Sequence, residues 1–428
     1  MKRGTFQLMK SVNKSLILNK IRTNQPISRA QIAKETRLTP PTVSSIVKEL
    51  IEENLVIESN LGESRGGRKP TMLLINQDAC YIIGVDAGPK LIHCVASDLS
   101  GKEISRAEPV IIQKQTSEEG FLSDLTTIIR SVIDTIPNIE KIMGIGVAMH
   151  GVVDVEAGIS RVAPNLGLRD IPIREVLEKE FNVIVKVEND VRCMALGEYW
   201  FNNHSNVDSM LAVNMGNGVG AGLVIDGKLY HGAADLAGEV GHMTIDLNGD
   251  VCACGNRGCF QTFATSDALI KRAKTFLLHG NKPVEAEDTV QPQHQDTKDE
   301  TPNMVQHDTQ QTVTKGSRQI DKNFTVTDLY NMAEAGDPRA RQILIETGEV
   351  IGVALTNLIH TINPDMIVLG GRVAKTENIT LPIIKETIQK RVLTAGAKET
   401  RVETVTFGDD ATLKGSIALL LIELFETA

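Results

Sequence analysis

Two stretches of this chain share one pattern. Residues 81–104 read YIIGVDAGPKLIHCVASDLSGKEI, and residues 209–230 read SMLAVNMGNGVGAGLVIDGKLY. In each, apolar runs of strand length are parted by glycine-bearing turns. The first set leads to a helical stretch near 118–136 and then KIMGIGVAMHG. The second runs through VIGVALTNLIHTI to MIVLGG. Strands alternating with helices predict an α/β fold. Two such sets predict two α/β lobes with a cleft between them.

Residues 281–321 interrupt this order. They are rich in Gln, Thr, Asp and Glu and lack apolar periodicity. Such a segment cannot bury enough surface to offset its ordering entropy, so it reads as a disordered insertion. GSIALLLIELF near the end is too short for a membrane span and reads as a buried helix. No apolar segment of signal-peptide type follows MKRGTFQLMK. The expectation is a cytoplasmic protein without a membrane partner.

The first 75 residues differ in charge from the rest. They hold 13 Lys and Arg against 6 Asp and Glu, a balance of +7 in a chain of −9, which leaves −16 for the remainder. A basic module on an acidic body points to a polyanion partner for that module. Ser28 and Gln31 form a capping box ahead of a short helix. Thr39 is a plausible N-cap for a second, with Pro40 and Pro41 in its first turn. Val43, Ile46, Val47 and Leu50 mark the inner face of that helix. Two short helices joined by a tight turn predict a helix-turn-helix. Pro41, Thr42, Ser44, Ser45 and Lys48 would then face bases and phosphates of double-stranded DNA. The strands LVIE and TMLLI flank a polar turn, giving a wing with Arg65, Arg68 and Lys69 at its tip, suited to a minor groove. The alternative is a small protein-interaction domain. A single such module needs a homodimer, or a tetramer, to read a two-fold operator. The expected division is a winged helix-turn-helix domain over 1–76 and a second domain over 77–428.

Residues 242–259 read HMTIDLNGDVCACGNRGC. Cys252, Cys254 and Cys259, with His242 ten residues upstream, supply three thiolates and an imidazole. That set suits tetrahedral Zn2+ with no open position, hence a structural site. The alternative is a redox-active or merely packed cysteine group.

The segment GEVGHMTIDLNGDVCACGNRGCF resembles the signature region of the ROK family of repressors, open reading frames and sugar kinases. NMGNGVGAGLVIDGKLYHGA, APNLGLRDIPI, VENDVRCMALGE and NPDMIVLGG extend the resemblance over nearly the whole chain. The head and the GGRKP before the body are similar to the repressor branch, and among repressors to those responding to xylose. Kinases of the family begin near the equivalent of Tyr81. The resemblance implies an actin-like, two-lobed fold with a sugar, of the xylose or glucose type, in the cleft. It implies sugar contacts from Asn165, Asn189, Asp190, Glu239 and His242. His242 would serve zinc through one ring nitrogen and sugar through the other. In the kinases the position of Asp190 is the general base; here Asp190 also stands where it can cap the following helix. Gln261 occupies the place of a sugar-binding Glu in the kinases.

The same comparison bears on catalysis. Family kinases read D-x-G-G-T-K at the first phosphate turn, where this chain has Asp86, Ala87, Gly88, Pro89, Lys90 and Leu91. Pro89 removes a backbone donor and Lys90 replaces a hydroxyl. In the second loop, Asn217 stands between Gly216 and Gly218. The expectation is a sugar-responsive repressor with a degraded ATP site and no catalytic residue. The alternative is an ATP-dependent sugar kinase carrying a DNA module, with Asp190 as its base.

Overall fold

The computed structural model describes residues 6–59, 70–113, 116–202, 207–279, 324–372 and 374–425. The insertion expected at 281–321 and the wing-tip residues Arg65, Arg68 and Lys69 lie outside the described residues.

The head comprises α1 (Phe6–Asn24), β1 (Ile27–Ser28), α2 (Arg29–Thr36), α3 (Pro40–Glu52), β2 (Val56–Ser59) and β3 (Met72–Ile75). Both expected helix starts form. Ser28 and Gln31 close a capping box on α2, and Thr39 accepts from the Thr42 N–H at the start of α3. Each satisfies N–H groups that the first turn leaves without partners. The wing has a third strand that the sequence pattern does not announce: the sheet order is β1-β3-β2, with Ile27 opposite Leu73. Helix α1 also starts well ahead of the LILNKIRTNQ stretch.

The first lobe contains β4 (Tyr81–Ala87), β5 (Leu91–Ser97), β6 (Glu103–Arg106), β7 (Val110–Ile111), α4 (Glu118–Ile133), β8 (Ile142–Met149), a side sheet of β9 (Val152–Asp154), β10 (Ile159–Ala163) and β11 (Leu168–Ile171), then α5 (Ile173–Phe181) and β12 (Ile184–Asn189). Helix α6 (Asp190–Phe201) leads into the second lobe. That lobe has β13 (Ser209–Met215), β14 (Val219–Ile225), β15 (Lys228–Leu229), α7 (Gln261–Ala264), α8 (Ser266–His279), α9 (Val326–Glu334), α10 (Pro338–Ile362), β16 (Met366–Gly370), α11 (Glu377–Arg391), β17 (Arg401–Thr404) and α12 (Ala411–Phe425).

The two main sheets repeat one plan. Their orders are β12-β8-β4-β5-β6 and β15-β14-β13-β16-β17. Each has an antiparallel hairpin at its centre, β4 with β5 and β13 with β14. Two parallel strands then extend the first strand's free side. The architecture is the expected two-lobed, actin-like α/β body behind a winged head.

Helix α12 is apolar around most of its circumference because it is buried on most sides. It packs on α6 and on β4 and β8. A Cβ on Gly415 would lie 1.7 Å from the Cys193 carbonyl oxygen, so only glycine permits this helix crossing. Helix α10 is long and apolar enough to cross a membrane by composition, yet 61% of its apolar window is buried inside the protein. It is a core helix of the second lobe.

The head is not a separate bead. Ile17, Leu18 and Ile21 of α1 share one buried cluster with Leu196 and Trp200 of α6 and Leu413, Ile417 and Phe425 of α12.

Candidate functional site

On the head, the residues expected to meet DNA stand on one helix. Pro41, Ser44, Ser45 and Lys48 are exposed, while Val43, Ile46, Val47 and Leu50 are buried beneath them. Thr42 is half-buried and bonds through its hydroxyl to Thr39, 2.8 Å away. Lys48 pairs only loosely with Glu52, at 3.6 Å.

In the body, two parallel strands and one helix start converge. Asn189 ends β12 and caps α6: its Oδ1 accepts from the N–H groups of Val191 and Arg192. The capping role expected of Asp190 therefore belongs to its neighbour, and Asp190 is the first helical residue. The Asn189 amide donates to the Gly151 carbonyl at 2.8 Å and to Asp190 Oδ1 at 2.9 Å. Asp190 Oδ1 also takes the Val191 N–H at 2.9 Å. The carboxylate is thus fixed in direction before any ligand arrives. His150, which the sequence reading passed over, lies beside it. Its Nδ1 is 3.8 Å from Asp190 Oδ2, and its Nε2 is 3.0 Å from Asn165 Nδ2.

The opposite wall is the segment after β15. Glu188, 1% exposed, is held by Arg192 at 3.3 Å and by His231 Nε2 at 2.6 Å. Arg192 also donates to the carbonyls of Asp235 and Ala237. A buried charge set of this kind stays only when its members are mutually paired. Here the pairing straps residues 231–237 to the end of β12. Gly238, at φ +101°, brings the strap onto the Ala221 carbonyl, where a Cβ would sit at 1.9 Å. Glu239 follows, half exposed, with Oε2 4.0 Å from His242 Nε2. An open cleft lies between the walls, lined among others by Gly151, Asn189, Arg192, Gly238 and Glu239.

His242 turns its other nitrogen to the cysteines. Nδ1 is 3.7 Å from Cys252 Sγ, and Cys254 and Cys259 Sγ are 3.7 Å apart. All four ligand atoms lie within 4.8 Å of one another. Two sulfurs each about 2.3 Å from one tetrahedral centre stand about 3.8 Å apart. A disulfide needs about 2.05 Å. The donor set therefore fits a tetrahedral metal ion. The thiols also respond to crowding. Burial alone would raise Cys252, but hydrogen bonds from Cys254 and Gln261 outweigh it and bring it to about 6. Burial and the two neighbouring sulfurs push Cys259 up to about 12. A cation would let all three ionise together. Gln261 Nε2 donates to Cys252 Sγ at 3.0 Å.

At the first phosphate turn, the Gly88 N–H is spent on the Leu91 carbonyl at 3.1 Å, and Pro89 has none. At the second loop the Gly216 N–H bonds to the Gly218 carbonyl at 3.0 Å. Behind the first turn, burial, aided by Asp190 and Asp410, pushes the Asp86 carboxyl up to about 8. A carboxyl whose native pKa exceeds its unfolded value penalises the fold progressively as pH rises between the two. Asp86→Asn is therefore expected to melt several degrees above wild type at pH 8 and together with it near pH 4. Thermal melts across that range check this, and equal offsets at both ends would refute it.

The ROK family profile matches residues 82–423, and a profile described as winged helix-turn-helix DNA-binding matches residues 13–57. The chain is 32% identical over 422 residues to a xylose repressor from Caldicellulosiruptor bescii, covering 98% of each. Among solved structures it resembles a ROK family transcriptional regulator, described as a homologue of the E. coli MLC protein, with TM-score 0.79, 24% identity and 97% of each chain covered. A ROK family glucokinase from Streptomyces griseus, solved with glucose and AMPPNP, matches at TM-score 0.60 and 23% identity. That match covers 79% of this chain and 98% of the kinase.

Proposed function

The chain belongs to the ROK family, and from that premise we propose that it is a cytoplasmic, sugar-responsive repressor of carbohydrate-catabolism genes. A homodimer would place two heads on a palindromic operator, and sugar in the cleft would release it. The wing tip with Arg65, Arg68 and Lys69 would add minor-groove contacts. Asp190, Asn165, Glu239 and His242 would take sugar hydroxyls. Asn189 would aim Asp190, and Gln261 would act through Cys252. The metal is assigned as structural zinc, on His242, Cys252, Cys254 and Cys259. The head is taken as 1–76 and the sugar-binding body as 77–428.

One observation carries the reading. Helix α6 begins at Asp190 in the cleft and carries Trp200 beneath the head, about 15 Å along a single rigid element. There the Arg22 guanidinium of α1 sits 3.9 Å from the Trp200 ring centroid, with Phe425 packed alongside. A sugar that reorients the start of α6 displaces the surface on which the head rests. Release requires the sugar to bind the displaced arrangement more tightly than the DNA-bound one.

The kinase reading keeps Asp190 and the loop glycines. Against it, the Gly88 N–H at the first phosphate turn is taken by the Leu91 carbonyl, and Pro89 has none. Fluorescence anisotropy on upstream DNA, titrated with D-xylose, D-glucose and N-acetylglucosamine without ATP, tests the proposal. Release by one sugar supports it. Tight binding that none disturbs, with ATP-dependent sugar phosphorylation, would replace it with the kinase reading.

The contact between head and helix makes a separate prediction. A cation over an aromatic face contributes about 0.5–2 kcal/mol. Arg22→Ala should leave sugar affinity within about twofold by calorimetry. The ratio of operator affinities without and with sugar should shrink about 3–30-fold. An unchanged ratio would show that the contact does not transmit the signal.

A further inference from the structure

We infer that His150 is a specificity-determining residue of the cleft, its imidazole and the Asp190 carboxylate together taking one hydroxyl of the bound sugar. The inference rests on the sugar-sensor reading above and names a contact within it.

His150 stands just past the end of β8. Its N–H bonds to the Ala87 carbonyl at 3.2 Å, tying it to the end of β4. Gly151 follows at φ +98°, where a Cβ would lie 2.1 Å from the Val162 carbonyl oxygen. Glycine thus lets the chain after β8 touch the segment after β10, and this brings Asn165 to His150. The Asn165 amide, donating through Nδ2 to Nε2 at 3.0 Å, leaves the ring proton on Nδ1. That proton faces Asp190 Oδ2 at 3.8 Å, beyond hydrogen-bond reach.

The two atoms are therefore prepared but not joined. Among the described residues, Asp190 Oδ2 and His150 Nδ1 have no other hydrogen-bond partner, whereas Oδ1 is taken by Asn189 and Val191. Both side chains are largely enclosed, 17% and 19% exposed, so the opening toward solvent is narrow. A point about 2.8 Å from each atom exists at this separation, which is an ordinary hydrogen-bond length. An oxygen there must accept from Nδ1–H and give a proton to Oδ2. A hydroxyl does both; an ether oxygen cannot donate and an ammonium cannot accept. One lone pair of that hydroxyl meets the imidazole and its proton meets Asp190, so the two side chains form the halves of a hydroxyl detector.

The test is calorimetry on the full chain with D-xylose, D-glucose and N-acetylglucosamine, then with the monodeoxy series of whichever binds. His150→Ala should bind the parent sugar about 10–100-fold more weakly. For one monodeoxy analogue, wild type and variant should bind alike, because the paired hydroxyl is already gone. His150→Asn, which keeps a donor on a short side chain, should recover part of the loss and serves if the alanine variant does not fold. A purely structural role would weaken every analogue by the same factor, and that pattern, or an unchanged parent affinity, overturns the assignment. If wild type binds none of the three sugars, the sensor reading falls and the assignment with it. If wild type binds and both variants bind equally well, the His150 assignment alone falls.

Discussion

Asp190→Ala is expected to remain on operator DNA at sugar concentrations that clear the wild type. A hydrogen bond to a charged group contributes about 1.5–3 kcal/mol, so losing one or two hydroxyl contacts lowers sugar affinity about 10- to 10⁴-fold. The effect on release is set by differential binding. Shifting a two-state equilibrium from 1:99 to 99:1 takes about a 10⁴-fold preference for one state. A ligand stripped of two or three decades cannot supply it. Misfolding would give the same failure, but it predicts a lower melting temperature. Asp190 is one of the charges that raise Asp86, so its removal relieves that carboxyl. The variant should then melt no lower than wild type at pH 8. Anisotropy with and without sugar, beside thermal melts at pH 8, checks both halves. Undiminished sugar release would place the sensor site elsewhere.

Local chemistry was legible in the sequence, and long-range partnership was not. The caps at Ser28 and Thr39 follow from neighbouring residues alone. The Cys3His group follows from spacing, because its four residues lie within eighteen positions of the chain. The repeated sheet plan follows from two similar strand patterns. What escaped depends on distant parts of the chain meeting. His150 gains meaning only when Asn165 and Asp190 reach it from two other segments. Arg22 and Trp200 meet only because α12 and α6 together offer a seat for the head. Asn189 and Asp190 are both competent caps, and only the backbone at the helix start decides between them. Gln261 stands where a sugar ligand is expected, and its Nε2 also meets Cys252 Sγ, a contact that only the folded turn into α7 creates.

Removing the metal is expected to disarm the cleft before it dislodges the head. The cluster fastens a loop with little core of its own: Leu247 and Val251 are exposed, and Cys254 lies at the surface. Its grip reaches the cleft through one ring, since His242 shows Nδ1 to Cys252 and Nε2 to Glu239. A ligated ring has one tautomer and one orientation; a free one has neither, and Glu239 loses a fixed neighbour. The head rests through α1 on α6 and α12, whereas the cysteine loop is anchored at Phe260 in the second-lobe core. As purified, the protein should carry about one zinc per chain. Chelation should lower its melting temperature by about 4–7 degrees, as loss of about 3–5 kcal/mol implies for a body of this size. Sugar response should disappear, while operator binding persists at temperatures where the body remains folded. Cys259→Ser should reproduce this more fully than Cys254→Ser, because Cys259 is buried at the centre of the loop and Cys254 is at its rim. Elemental analysis, melts and anisotropy decide the matter together. A metal-free protein with full sugar response would mean that the cysteines only pack. Loss of operator binding in step with sugar response would mean that the cluster supports the whole body and not the cleft alone.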